Sequence, residues 1–106
     1  MTRDERLKYN NAMNVLDYKI IGRPHVVAEP NAEQLQAMQM AIDVMEKQMM
    51  ETGKPMHKHI SVLGYHLAHP TALLFKDRYT VDALTAGILA IKWLLGLEEK
   101  EKLVFE

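Results

Sequence analysis

Histidine offers this chain its richest chemistry, since four of its 5 imidazoles fall between His57 and His69. Wound into a helix, His59, His66 and His69 would line one edge, because steps of seven and three residues return close to the same side of the cylinder. His66 and His69, one turn apart, could share a transition metal, whereas His59 stands two turns from His66 and would need a rearrangement to join the same ion. Such a site also wants a carboxylate, and none is near in sequence. Dedicated ligand sets show tighter spacing, as in His-Glu-x-x-His. The pattern therefore favours imidazoles at a half-buried helix edge or subunit contact, bonded to backbone or water.

The basic residues beside two glycine-proline stops are the second candidate: Arg23 and His25 at one, Lys54, His57 and Lys58 at the other. Brought together in an oligomer, Arg23, His25, Lys54 and Lys58 would suit an anion such as a nucleotide. Cations near helix C-termini, however, also complement the macrodipole without binding anything. A helix-turn-helix over residues 45–67 would present Lys58 and several histidines to a DNA groove. That is a poor supply of cations for phosphate contacts, so a DNA-binding regulator ranks third. Ser61 lacks the sharp glycine-flanked turn of a serine nucleophile. Asp77, Arg78, Tyr79 and Asp82 read as the polar start of a helix, with Asp82 in its first turn and Arg78 paired to Asp77. With no glycine-rich phosphate loop and no carboxylate pair at ligand spacing, neither an enzyme nor a cofactor is expected.

The elements that would position these side chains must come from one small domain, 1–106, because 106 residues leave too little chain for two cores. Lys plus Arg number 13 and Asp plus Glu 14, a net charge of -1 that gives no global attraction to nucleic acid or an anionic membrane. Cysteine is absent. That excludes disulfides, zinc ribbons and thiol nucleophiles, and it fits a cytoplasmic protein. The charged start Met1-Thr2-Arg3-Asp4-Glu5-Arg6 lacks the apolar run of a secretory signal. Residues 81–97, the most apolar stretch, are interrupted by Asp82 and Lys92 and are short for a membrane span. Five of the 8 methionines lie between Met38 and Met50, where flexible thioethers suit either irregular core gaps or an adaptable contact surface.

Helical periodicity runs through most of the chain. Thr2 and Glu5 form a capping box, after which Tyr9, Ala12, Met13, Leu16 and Ile20 recur on one face. Gly22 is placed to end that helix in the left-handed conformation ahead of Arg23-Pro24. Asn31 and Gln34 begin a second helix with Leu35, Met38, Ile42, Met45 and Met49 on its core side, stopped by Gly53-Lys54-Pro55. The similar stops Gly22-Arg23-Pro24 and Gly53-Lys54-Pro55 are read as shared stop chemistry rather than as a duplicated unit. The two helices should fold back as a hairpin across the proline-framed residues 23–30.

Met56, Ile60, Leu63 and Leu67 keep helical spacing, although Ile60, Val62 and Gly64 also permit a strand. Pro70 ends this element, residues 71–77 add a short helix, and Thr80 caps the last helix, expected over residues 81–97. There Val81, Leu84, Ile88, Ile91 and Leu95 make one stripe. Leu89, Trp93 and Leu97 lie well round the cylinder, and Ala83, Gly87 and Ala90 form a small-residue line that admits a second backbone. A helix apolar nearly all round must be central to the core or sandwiched between subunits. Secondary apolar faces carry Leu7, Tyr18 and Ile21 on the first helix and Ala37, Met40, Ala41 and Val44 on the second. The expected fold is an all-α bundle of four to five helices beginning with a helical hairpin. Its surplus apolar surface points to a homo-oligomer using Tyr18, Met40, Val44, Leu89, Trp93 and Leu97 as contacts. After the solvated run Glu98-Glu99-Lys100-Glu101-Lys102, Leu103-Val104-Phe105 reads as a hydrophobic anchor.

Gln36-Ala37-Met38-Gln39-Met40-Ala41-Ile42-Asp43-Val44-Met45-Glu46-Lys47-Gln48 resembles the second helix of the helical hairpins in small phage-encoded accessory proteins, which often end in an Ala-Ile-x-x-Leu-Glu-Lys-Gln-like run. Met45 here replaces the usual Leu, and the resemblance covers residues 5–48. It implies a noncatalytic, phage-related interaction protein that binds or inhibits a host protein. One such hairpin family sequesters cyclic nucleotides between subunits, but its aromatic-rich N-terminal signature is not visible in this chain. The alternative from another class is a small-ligand binder, for an anionic nucleotide or a metal, using the His59/His66/His69 edge or the Arg23/Lys54 corner.

Overall fold

In the computed structural model, which describes residues 1–23, 27, 29–70, 77–99 and 102–103, helix α1, Arg3–Asn14, starts at its capping box. Thr2 Oγ1 accepts from the Glu5 amide at 3.1 Å, and the Glu5 carboxylate accepts from the Thr2 amide at 3.5 Å. The chain continues into a π-helical stretch, Val15–Ile21. This wider winding brings residues five apart toward one side, and Val15, Leu16 and Ile20 are all buried while Tyr18 and Lys19 face out.

Gly22 does not end this helix in the left-handed conformation: its φ is -69°. Its amide instead donates to the Asp17 carbonyl at 2.7 Å, which closes the last wide turn directly. A Cβ there would be tight, 3.0 Å from the Asp17 carbonyl oxygen and 3.2 Å from that of Tyr18, so glycine eases the turn. Gly53, by contrast, ends helix α2, Ala32–Thr52, with φ +69° in the left-handed region. The shared stop chemistry expected from the sequence is therefore not found, and the two look-alike stops work by different geometry.

Helix α2 folds back on α1 and the π-helical stretch to make the hairpin. Asn31 and Gln34 cap it reciprocally at 2.8 and 2.9 Å. The buried Gln34 then donates to the Lys19 carbonyl at 2.9 Å and fastens the hairpin, while Lys19 pairs with Glu33 at the surface. Met38 and Met45 are wholly buried, so this part of the methionine stripe is core. Met40 and Met49 are half-buried, and Met50 is exposed.

Helix α3, His57–Ala68, resolves the helix-or-strand ambiguity in favour of the helix, with Met56 and Leu63 wholly buried. The expected short helix over residues 71–77 lies outside the described residues except for Asp77. That residue supplies a correction, because helix α4, Arg78–Leu94, is capped by Asp77 and not by Thr80. The Asp77 carboxylate accepts from the Thr80 amide at 2.8 Å, and Thr80 is buried in the first turn. Asp caps better than Thr, and burial of Thr80 agrees with the earlier start. Arg78 accordingly reaches Asp82, at 3.9 Å, and not Asp77. Asp82 falls beyond the first turn. At the other end Gly96, with φ +75°, stops α4 before Leu97. The Gly96 amide donates to the Trp93 carbonyl at 3.0 Å and the Leu97 amide to that of Lys92 at 2.8 Å, a Schellman stop.

Helix α4 contacts α1, the π-helical stretch, α2 and α3. Its all-round apolar character is therefore that of a central helix. Ala83, Gly87 and Ala90 let α2 come close, and a Cβ built on Gly87 would stand 2.9 Å from the Ala41 Cβ. The secondary face of α2 is taken up in the same way: Ala37, Ala41 and Val44 are all buried within the chain. Leu103 packs on this core, whereas Val104 and Phe105 lie outside the described residues. The result is an all-α bundle, with no β-strand and no helix long and apolar enough to cross a membrane among the described residues.

Candidate functional site

The histidines of α3 and its C-terminal cap stand in different environments. His66 is 6% exposed, His59 is half-buried, and His57 and His69 are exposed. The Tyr65 ring contacts both His66, edge-on at 5.5 Å, and His69, at 4.4 Å. His69 Nδ1 turns to the Tyr65 carbonyl at 3.0 Å. No group of three or more His, Asp or Glu side chains among the described residues could hold a metal ion.

What α3 does offer is a buried imidazole whose Nδ1 has no hydrogen-bond partner. Burial pushes the His66 pKa below the usual histidine range, the nearby Asp77 carboxylate pulls it partly back, and His69 adds to the lowering. Asp77 itself is held below the usual carboxylate range, chiefly by its hydrogen bond from the Thr80 amide. The neutral His66 is thus the native form, and the unfolded chain takes up the proton more readily. Its stabilising contribution is whole above about pH 6.5 and is lost as the pH falls through that value toward the lower folded-state pKa. Thermal melts between neutral pH and about pH 5 should show this loss in the wild type and a flatter profile in His66→Phe. Asp77 adds a second loss only under more acidic conditions, below the ordinary carboxylate range.

The proposed basic corner is not assembled within one chain. Lys19 pairs with Glu33 at the start of α2, and Arg23 follows four residues on; Lys54 follows the cap at the far end of α2. A helix of 21 residues separates them, roughly 30 Å of axis. Arg23, Lys54 and Lys58 are exposed, while His25 lies outside the described residues. Lys58 is the one Lys or Arg in α3, which leaves the helix-turn-helix reading with little to offer a phosphate backbone.

The expected contact residues separate into distinct environments. Tyr18 is 72% exposed on the π-helical stretch. Met40, Leu89 and Trp93 are half-buried, whereas Val44 belongs to the chain's own core. Leu97, past the end of α4, is 58% exposed and stands with the equally exposed Leu7, at 57%. With Arg3, Arg6, Asn10 and Leu95 these two leucines line a groove of about 440 Å³. Arg6 fixes one wall by donating to the Leu95 carbonyl at 3.0 Å. Arg3 and Arg6 in the first turns of α1 oppose the helix dipole; that misplaced charge is the sequence signal that could have found this groove.

A second groove, about 300 Å³, runs between α2 and the end of α4, lined by Val44, Lys47, Gln48, Glu51, Trp93 and Leu94. Gln48 is the residue that pattern reading passed over. It is 2% exposed, and its Nε2 donates to the Ala90 carbonyl at 2.8 Å. Its signal was a glutamine on a face otherwise made of Ala37, Ala41 and Val44. No protein-family model, curated protein or solved structure matches the chain.

Proposed function

We propose that this chain is a noncatalytic helical interaction protein of the cytoplasm, akin to small phage accessory proteins, which pairs with a second copy and offers the paired bundle to a host protein. The observation that carries the reading is the Leu7/Leu97 groove. Two leucines exposed by more than half flank one concave surface on an otherwise well-filled domain. Arg3 stands beside them, and Glu98 and Glu99 follow Leu97 directly. A patch that holds apolar, basic and acidic groups together is self-complementary, which is what a two-fold contact requires: the leucines of one copy meet those of the other while Arg3 faces the partner's acidic turn. A protein partner would use the same kind of surface, because exposed apolar residues rimmed by charge favour association over solvation.

Sedimentation velocity at micromolar protein tests the pairing. A concentration-dependent dimer is expected, with Leu97→Glu remaining monomeric at an unchanged melting temperature measured in dilute solution. A wild type that stays a single monomeric species over the whole range would remove the reading.

A further inference from the structure

We propose that the groove between α2 and the end of α4 binds a free α-amino acid with an apolar side chain. The inference starts from the Gln48 amide. A backbone carbonyl can only accept, so the Ala90 oxygen requires the amide nitrogen of Gln48 to face it, and the orientation of the side chain is fixed. Gln48 Oε1 is therefore an acceptor, buried and without a partner. A buried acceptor left unmatched is costly, and here it belongs to a residue lining a groove much larger than one water molecule. Oε1 has almost no accessible surface, so a donor brought by a ligand would relieve it as the lining side chains part to admit it.

The rest of the lining specifies the other parts of that ligand. Glu51 stands one turn beyond Gln48's neighbour Lys47 on α2, and neither charge forms an ion pair with another described residue. Two opposite charges on one rim match an ammonium and a carboxylate at the same time. The ammonium takes Gln48 Oε1 and Glu51, close to the negative end of the α4 dipole, which favours a cation, and to the Trp93 indole. The carboxylate takes Lys47. Val44, Leu94 and the indole then leave an apolar wall for the side chain. The volume, about 300 Å³, is at the lower limit of small-molecule sites, which suits a ligand of this size.

Trp93 is the single tryptophan of the chain, so its fluorescence reports on the groove without labelling. Titration of the full-length protein with L-phenylalanine and L-leucine should give a saturable change in emission, confirmed by calorimetry. Gln48→Met should weaken binding about tenfold or more, the loss of one hydrogen bond to a charged group. Glu51→Gln, at an exposed position, gives the same test without touching the core, and it should also weaken binding while the circular dichroism and melting temperature stay unchanged. Phenethylamine and 3-phenylpropionate each lack one charged end and should bind more weakly than L-phenylalanine. The proposal is overturned by any of three results: no saturable response to either amino acid at millimolar concentration, equal binding by the folded Glu51→Gln variant, or equal binding by an analogue lacking one charge. Ordered water alone in the groove of a crystal grown with L-phenylalanine would count against it equally.

Discussion

Gly87→Val is expected to destabilise the fold by about 3 kcal/mol, and even Gly87→Ala should destabilise it. The second half of that expectation reverses the usual rule, since replacing a mid-helix glycine by alanine normally gains about 1 kcal/mol in helix propensity. Here the new Cβ would lie 2.9 Å from the Ala41 Cβ, with Leu16 Cδ1 at 3.8 Å and Leu63 Cδ1 at 4.0 Å filling the other sides. The nearest atom is not the end of a flexible side chain. It moves only if the α2 backbone moves, and Met38, Ile42 and Met45 on that helix are already packed. Ala41→Gly should relieve the clash, so the double variant Ala41→Gly/Gly87→Ala should be more stable than the two single losses added together. Chemical denaturation of the four proteins measures that coupling. A Gly87→Ala protein more stable than the wild type would show that α2 and α4 do not approach as closely as described.

The legible parts of this fold were those whose physics is local. Thr2 with Glu5 and Asn31 with Gln34 satisfy their own helix ends within four residues, and Gly53 needs only its own backbone to turn left-handed. The start of α4 was not legible on local grounds, because Asp77 and Thr80 are both capping residues three apart. Burial of Thr80 against the rest of the bundle accompanies the earlier start. The π-helical winding after Asn14 leaves no residue-type signature, since any residue but proline can donate five residues back. For α4 the apolar pattern correctly required cover on every side, but whether that cover came from one chain or two depended on how α1, α2 and α3 surround it. The same limit governs the candidate sites. Leu7 and Leu97 line one groove, and Gln48 and Trp93 another, across most or nearly half of the chain; only the odd placement of Arg3, Arg6 and Gln48 offers a hint that these residues answer to something beyond their own helix. One histidine of four being buried at α3 could not be told from spacing either, because His59, His66 and His69 share an edge and the depth of each depends on α4 and Tyr65.

Leu16→Ala should cost about 2–5 kcal/mol, while Leu7→Ala, nine positions earlier on the same continuous helix, should change monomer stability by no more than about 0.5 kcal/mol. Leu16 is wholly buried where the π-helical stretch meets Gly87 of α4, so truncation leaves a cavity between packed helices. Leu7 points to solvent. For a domain of this size each kcal/mol moves the midpoint of thermal unfolding by about 4–8 °C, which puts the Leu16 variant well below the wild type at every protein concentration. The Leu7 variant should behave differently in kind. If copies pair through this residue, pairing stabilises only the folded state, and the wild-type melting temperature rises with protein concentration. Leu7→Ala should lose that rise and match the wild type at high dilution. A Leu7 variant that melts far lower than the wild type in dilute solution would place the outer face of α1 inside the fold, and would leave the pairing without its apolar anchor.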